Sequence, residues 1–143
     1  MRDEQREGTG TLTRCRDFIE SHADEDIGIQ QIAEAAHVTP RAVQLSFRTH
    51  LDTTPTAYLR RVRLERARRD LQEARPDQGV TVTGIAAKWR FANASRFAAY
   101  YRAAFGTSPS SSLARAARRG RGSGAGGRGP KALAQQRAAP PSR

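Results

Sequence analysis

The chain has 143 residues, a formal charge of +11 and a single cysteine. That length holds one ordinary domain or two very small ones. The lone thiol excludes an intramolecular disulfide, and no apolar run approaches the ~20 residues needed to span a bilayer. The charge is unevenly spread: residues 1–34 carry nine acids and four bases, residues 35–113 five acids and thirteen bases, and residues 114–143 eight bases and no acid. A basic middle and end behind an acidic front predicts a polyanionic partner meeting one face. The charged N-terminus lacks a hydrophobic signal core, which predicts a soluble cytoplasmic protein with no membrane partner.

Residues 1–10 read as a flexible leader. From Thr11 to His22, Leu12, Cys15, Phe18 and Ile19 fall on one face of a helix. A second helix, Ile29 to Ala36, turns Ile29, Ile32, Ala33 and Ala36 inward. After the turn at His37-Val38, Thr39-Pro40 sets a hydroxyl N-cap before a proline at the first helical position, where its missing N–H is harmless. This third helix runs to about Thr49 and buries Val43 and Phe47.

Thr54-Pro55 repeats that start and opens a long helix to Glu73. At ~100° per residue, Tyr58, Leu59 and Val62 share one sector, whereas Ala67, Leu71 and Ala74, with Leu64 close by, share a nearly opposite one. A helix serving one core keeps one stripe, so this one reads as a strut with a small body packed at each end. Beyond it, Thr81 caps a helix with Val82, Ile85, Ala86 and Trp89 inward. Asn93 caps another that buries Phe97 and Tyr101, and Ser108-Pro109 starts a final short helix reaching Leu113. Residues 114–143, rich in Arg, Gly, Ala and Pro, read as a disordered basic tail because they cannot bury enough surface to offset their ordering entropy.

The chain repeats itself. At an offset of 53, Ile29, Ile32, Ala33, Ala36 and Val38 fall on Val82, Ile85, Ala86, Trp89 and Phe91; at 54, Arg41, Val43, Phe47, Arg48 and Leu51 fall on Ser95, Phe97, Tyr101, Arg102 and Phe105. Each copy is helix, short turn, helix, with a small alanine (Ala33, Ala86) where two helices cross. The fold class is therefore all-α: two helix-turn-helix subdomains of homeodomain-like form, a first unit at 11–53 and a second at 80–113, joined by a linker helix at 54–74.

In such a unit the second helix enters the DNA major groove. With Val43 and Phe47 inward, the first reading helix presents Arg41, Ala42, Leu45 and Arg48, with Gln44 at its edge. With Phe97 and Tyr101 inward, the second presents Ser95, Arg96, Ala99 and Arg102. Arginine can hold guanine with two bonds, glutamine can do so for adenine, and leucine can meet a thymine methyl. Arg48 and Arg102, farther along their helices, suit phosphate. The alanines Ala94, Ala98 and Ala99 leave the second reading helix poor in long polar side chains, which shifts it toward phosphate contact and shape reading. The strut spans ~28 Å, near the ~34 Å between successive major-groove segments on one side of B-DNA.

The stretches IAEAAHVTPRAVQLSFR, TPTAYLRRVRLERARRDL and IAAKWRFANASRFAAYYRAAFGTSP resemble the DNA-binding module of the AraC/XylS family of bacterial transcription regulators. The resemblance covers roughly residues 11–113. It implies transcriptional control through double-stranded promoter DNA, with RNA polymerase as a further partner. It also implies base-reading positions at Arg41, Gln44, Leu45, Ser95, Arg96 and Ala99, and phosphate contacts at Thr39, Arg48, Asn93 and Arg102. Departures from the family pattern are Arg90 and Asp52 at usual glycine positions and Ser112 at a usual aromatic one; a left-handed backbone at Arg90 would cost about 1 kcal/mol. No sensor domain, and so no small-molecule effector site, is read within the chain.

Other chemistries leave little trace. Cys15 lies on a buried helix face, the reading of a packed small hydrophobe, and His22, His37 and His50 form no metal-ligand spacing with it. No clustered nucleophile and base or phosphate-binding glycine loop appears, so neither an enzyme nor a cofactor is expected. Arg60, Arg61, Arg66, Arg68 and Arg69 read as a solvated helix face with local acid partners, whereas Arg63, beside the apolar sector, reads as pairing internally. A charge-driven architectural DNA binder without a preferred site is the alternative from a different class.

Overall fold

A computed structural model describes the backbone of residues 2–125 and the side chains of residues 9–120. Regular structure among them is helical throughout: α1 (Arg2–His22), α2 (Ile29–Ala36), α3 (Pro40–Leu51), α4 (Pro55–Glu73), α5 (Val82–Lys88), α6 (Ala94–Phe105) and α7 (Pro109–Ala125), with a 3₁₀ turn at Pro76–Gln78. Two compact units divide inside α4, after Arg66.

In the first unit Leu12, Cys15 and Ile19 of the α1 stripe are buried, the latter two fully, with Ile32, Ala33 and Ala36 of α2 and Val43 and Phe47 of α3, while Phe18 of the same stripe stays half-buried. Leu59 and Val62 of α4 join this core. Arg63 donates from Nε to the Ala23 carbonyl at 2.8 Å and from Nη2 to the Glu25 carbonyl at 2.7 Å, and Arg66 donates to the Glu20 carbonyl at 3.0 Å. These carbonyls lie at and beyond the C-terminal end of α1, where no further turn supplies donors. Arg63 thus pairs internally as its position predicts. Arg66 does not belong to a solvated face; its reach across to α1 is a tertiary contact that helix periodicity cannot show.

In the second unit Ala67, Leu71 and Ala74 are buried with Ile85, Ala86, Trp89, Phe97 and Tyr101. Asp70 accepts from the Trp89 indole Nε1 and from Lys88 Nζ, both at 2.8 Å, and the Arg68 guanidinium lies 4.6 Å over the Phe105 ring. The Tyr101 hydroxyl and the Ser112 hydroxyl share a buried bond of 2.7 Å, so serine at the usual aromatic position meets a polar partner.

Two ends differ from the sequence reading. α1 runs back to Arg2, so the backbone read as a leader is continuous with the helix. At the other end α7 does not stop at Leu113: it continues to Ala125, with Ala116 buried, Arg119 donating to the Gln72 carbonyl at 3.0 Å and Gly120 packed on Pro76. The tail composition obscured this, because its Gly and Pro come after ARAARR, itself a run of strong helix formers. Residues 126–143 of the expected disordered tail lie outside the described residues.

Candidate nucleic-acid interface

Each proposed reading helix begins with the same local device. The Thr39 Oγ1 accepts from the Ala42 N–H at 3.1 Å and the Asn93 Oδ1 from the Arg96 N–H at 2.8 Å, each satisfying one of the four donors that a helix start leaves open. These side chains, named from the sequence as phosphate contacts, are thus first of all N-caps; both remain exposed.

From those caps the helices turn one face in and one out. Val43 and Phe47 are fully buried in α3, as are Phe97 and Tyr101 in α6. Arg41, Gln44, Leu45 and Arg48 are exposed on α3, and Ser95, Arg96, Ala99 and Arg102 on α6. Leu45 matters most here, since it is 64% exposed, the largest exposure among large apolar side chains of the described residues. An isolated leucine held in water by a rigid helix is available for an apolar partner such as a thymine methyl.

Arg41, Gln44, Leu45 and Arg48 also line an open cleft of about 530 Å³ whose opposite wall is the start of α4, Thr54 to Thr56. There the Thr54 Oγ1 accepts from the Ala57 N–H at 3.1 Å. Helix starts carry partial positive charge, so this wall has the same sign as the two arginines facing it. The sequence reading missed these threonines as part of the surface, although the Thr54-Pro55 start marked where they fall. Arg48 makes an exposed ion pair with Asp52, Nη1 to Oδ1 at 3.6 Å, a contact weak enough to exchange for a phosphate.

Cys15 takes no part. It is fully buried, and burial pushes its thiol above the ordinary range against the opposing pull of Arg14, which leaves little thiolate. No group of three or more His, Cys, Asp or Glu that could hold a metal ion occurs among the described residues. Nor is any helix among them long and apolar enough to cross a membrane.

Residues 32–115 match the model of a helix-turn-helix domain family. The chain is 40% identical over 105 residues to a probable thc operon regulatory protein of Rhodococcus erythropolis, covering 73% of this chain and 31% of that protein. It is 36% identical over 110 residues to XylDLEGF operon transcriptional activator 3 of Pseudomonas putida, covering 76% and 33% respectively. The chain thus spans about a third of the length of these curated relatives. Among solved structures, a probable AraC family transcriptional regulator from Rhodopseudomonas palustris superposes with a TM-score of 0.69 at 30% identity, covering 75% of this chain and 97% of that one.

Proposed function

The chain belongs to the AraC family of helix-turn-helix transcriptional regulators, and from that premise we propose that it is a sequence-specific DNA-binding regulator that places α3 and α6 in successive major-groove segments of promoter DNA. The observation that carries this reading is the outward display of Arg41, Gln44 and Leu45 on a capped helix whose inner face is locked by Val43 and Phe47. Three chemically different reading groups on one rigid face suit guanine, adenine and thymine edges.

The side chains set against base edges are Arg41, Gln44, Leu45, Ser95, Arg96 and Ala99, whatever share of the discrimination each carries; phosphate contact falls to Thr39, Arg48, Asn93 and Arg102. Double-stranded DNA is the partner, RNA polymerase a further one, and the cytoplasm with its nucleoid the setting. The described units carry no effector pocket role in this reading; control comes from abundance, from a partner or from sequence outside this chain.

Selection of bound sites from random duplexes tests it. A recovered motif extending over about two helical turns is the expected result. Binding without enrichment would instead assign the chain to the charge-driven architectural class, which its formal charge of +11 also allows.

A further inference from the structure

The two reading faces occupy equivalent positions, 54 residues apart, but are not equivalent chemically. Arg41, Gln44, Leu45 and Arg48 of α3 correspond to Ser95, Ala98, Ala99 and Arg102 of α6. The equivalence is structural as well as textual. The caps Thr39 and Asn93, the buried pairs Val43–Phe47 and Phe97–Tyr101, and the left-handed caps Asp52 (φ 50°) and Gly106 (φ 74°) all keep the same offset. Of the four outward positions only the arginine best placed for phosphate is retained. The other three are cut back to serine or alanine.

We infer that sequence information is read almost wholly by the first unit, and that the second is an anchor tolerant of sequence. The reason is reach and chemistry. Alanine carries no donor or acceptor, so its one base contact is an apolar touch on a thymine methyl without hydrogen-bond readout, and serine's single hydroxyl accepts or donates to any base and so separates them poorly. Of the long side chains added on α6, Arg96, where α3 has Ala42, is exposed, whereas Tyr100, where α3 has Ser46, is half-buried with its ring 6.4 Å from that of Phe91. Arg96 allows a guanine contact at one base pair. Short side chains still let the helix backbone come close, so phosphate contact and groove shape supply affinity there. On the first unit each bidentate group, Arg41 and Gln44, is worth discrimination of about 5- to 150-fold at its base pair.

This inference rests on the DNA-reading function proposed above, and a graft separates the two. The full chain is put through site selection as wild type and as the S95R/A98Q/A99L variant, all three positions lying on or at the edge of the outer face of α6. Wild type should return one segment with several determined base pairs and a second with at most one. The graft should make the second segment select the bases of the first, with single-base discrimination rising to about 5-fold or more. Equal information in both wild-type segments would overturn the inference while sparing DNA reading. So would a folded graft, melting as wild type does, that leaves the second segment unchanged. No motif in wild type at all would overturn both. If the graft does not fold, R41S/Q44A/L45A on α3 takes its place: it should erase the first segment's preference, and retention of that preference counts against the inference.

Discussion

His37 and Arg90 hold the same left-handed backbone conformation, φ 59° and 67°, at positions 53 residues apart. Each lies between the two helices of its unit, and the residue after it returns a bond into the preceding helix: the Val38 N–H to the Ala33 carbonyl at 3.1 Å, the Phe91 N–H to the Ala86 carbonyl at 2.9 Å. The turn requires a conformation in which glycine is at ease, yet neither copy has one. Arg90 and Asp52, both at usual glycine positions, are left-handed, and His37 is a third such residue.

Glycine at these turns should therefore stabilise. A left-handed L-residue costs roughly 1–2 kcal/mol, and glycine's extra freedom when unfolded takes back about 0.5–1 kcal/mol. His37→Gly and Arg90→Gly are each expected to gain about 0.5–1 kcal/mol in urea unfolding. A loss at both would mean that the side chains contribute more than the backbone strain removes.

Asp70 should be the polar pin of the second unit. Its carboxylate takes the Trp89 indole and Lys88 together. A buried donor left without its charged acceptor costs about 1.5–3 kcal/mol, whereas the exposed lysine adds little. Asp70→Ala should lose that amount and Lys88→Ala less than about 1 kcal/mol. Trp89, the only tryptophan of the chain, reports both by fluorescence; equal effects would reverse the assignment.

Tyr58 should make the first unit sensitive to alkali. Its hydroxyl donates to Glu20 Oε2 at 2.6 Å and accepts from Arg16 Nε at 3.0 Å. Burial first, then the bond to Glu20, pushes its ionisation above the usual value. A raised folded-state pKa means that the native state holds this proton more tightly than the unfolded one. Its contribution is then complete below about pH 10, the unfolded value, and fades as pH rises through the folded value. Tyr58→Phe should lose about 1 kcal/mol at pH 7 and show a shallower decline of stability above pH 10. An unchanged alkaline limb would remove Tyr58 as its source.

The C-terminal part of α7 should behave as packed structure. Ala116 is buried whereas Ala114, two residues earlier, is exposed. Ala116→Asn should lose about 1–3 kcal/mol by forcing an amide into an apolar site, on top of the roughly 0.7 kcal/mol of helix propensity that is all Ala114→Asn should lose. Matching effects in thermal unfolding would indicate an undocked segment.

Much of this was legible in the residues. Thr39, Thr81 and Asn93 cap because a hydroxyl or amide before a helix can accept an open N–H, and that is a local property. The inward set Val43, Phe47, Phe97 and Tyr101 followed from period alone. The outward set Arg41, Gln44, Leu45, Ser95, Arg96 and Ala99 followed as its complement, and the structure leaves all six exposed. What escaped were contacts between residues far apart in the chain: Arg66 reaching the Glu20 carbonyl, Arg68 covering Phe105, Asp70 holding Trp89, and α7 docked through Ala116 and Arg119.

The sequence by itself determined the helices, their caps, the doubled motif and the face each reading helix shows to water, because those depend on neighbours within a turn or two of the same helix. Only the tertiary structure decided that Arg66 as well as Arg63 reaches back to the C-terminal end of α1, and where the last helix ends. An arginine's five donors and long stem are compatible with water, an acid or a distant carbonyl alike, and a run such as ARAARR is helical or not according to whether a second surface lies there to receive Ala116.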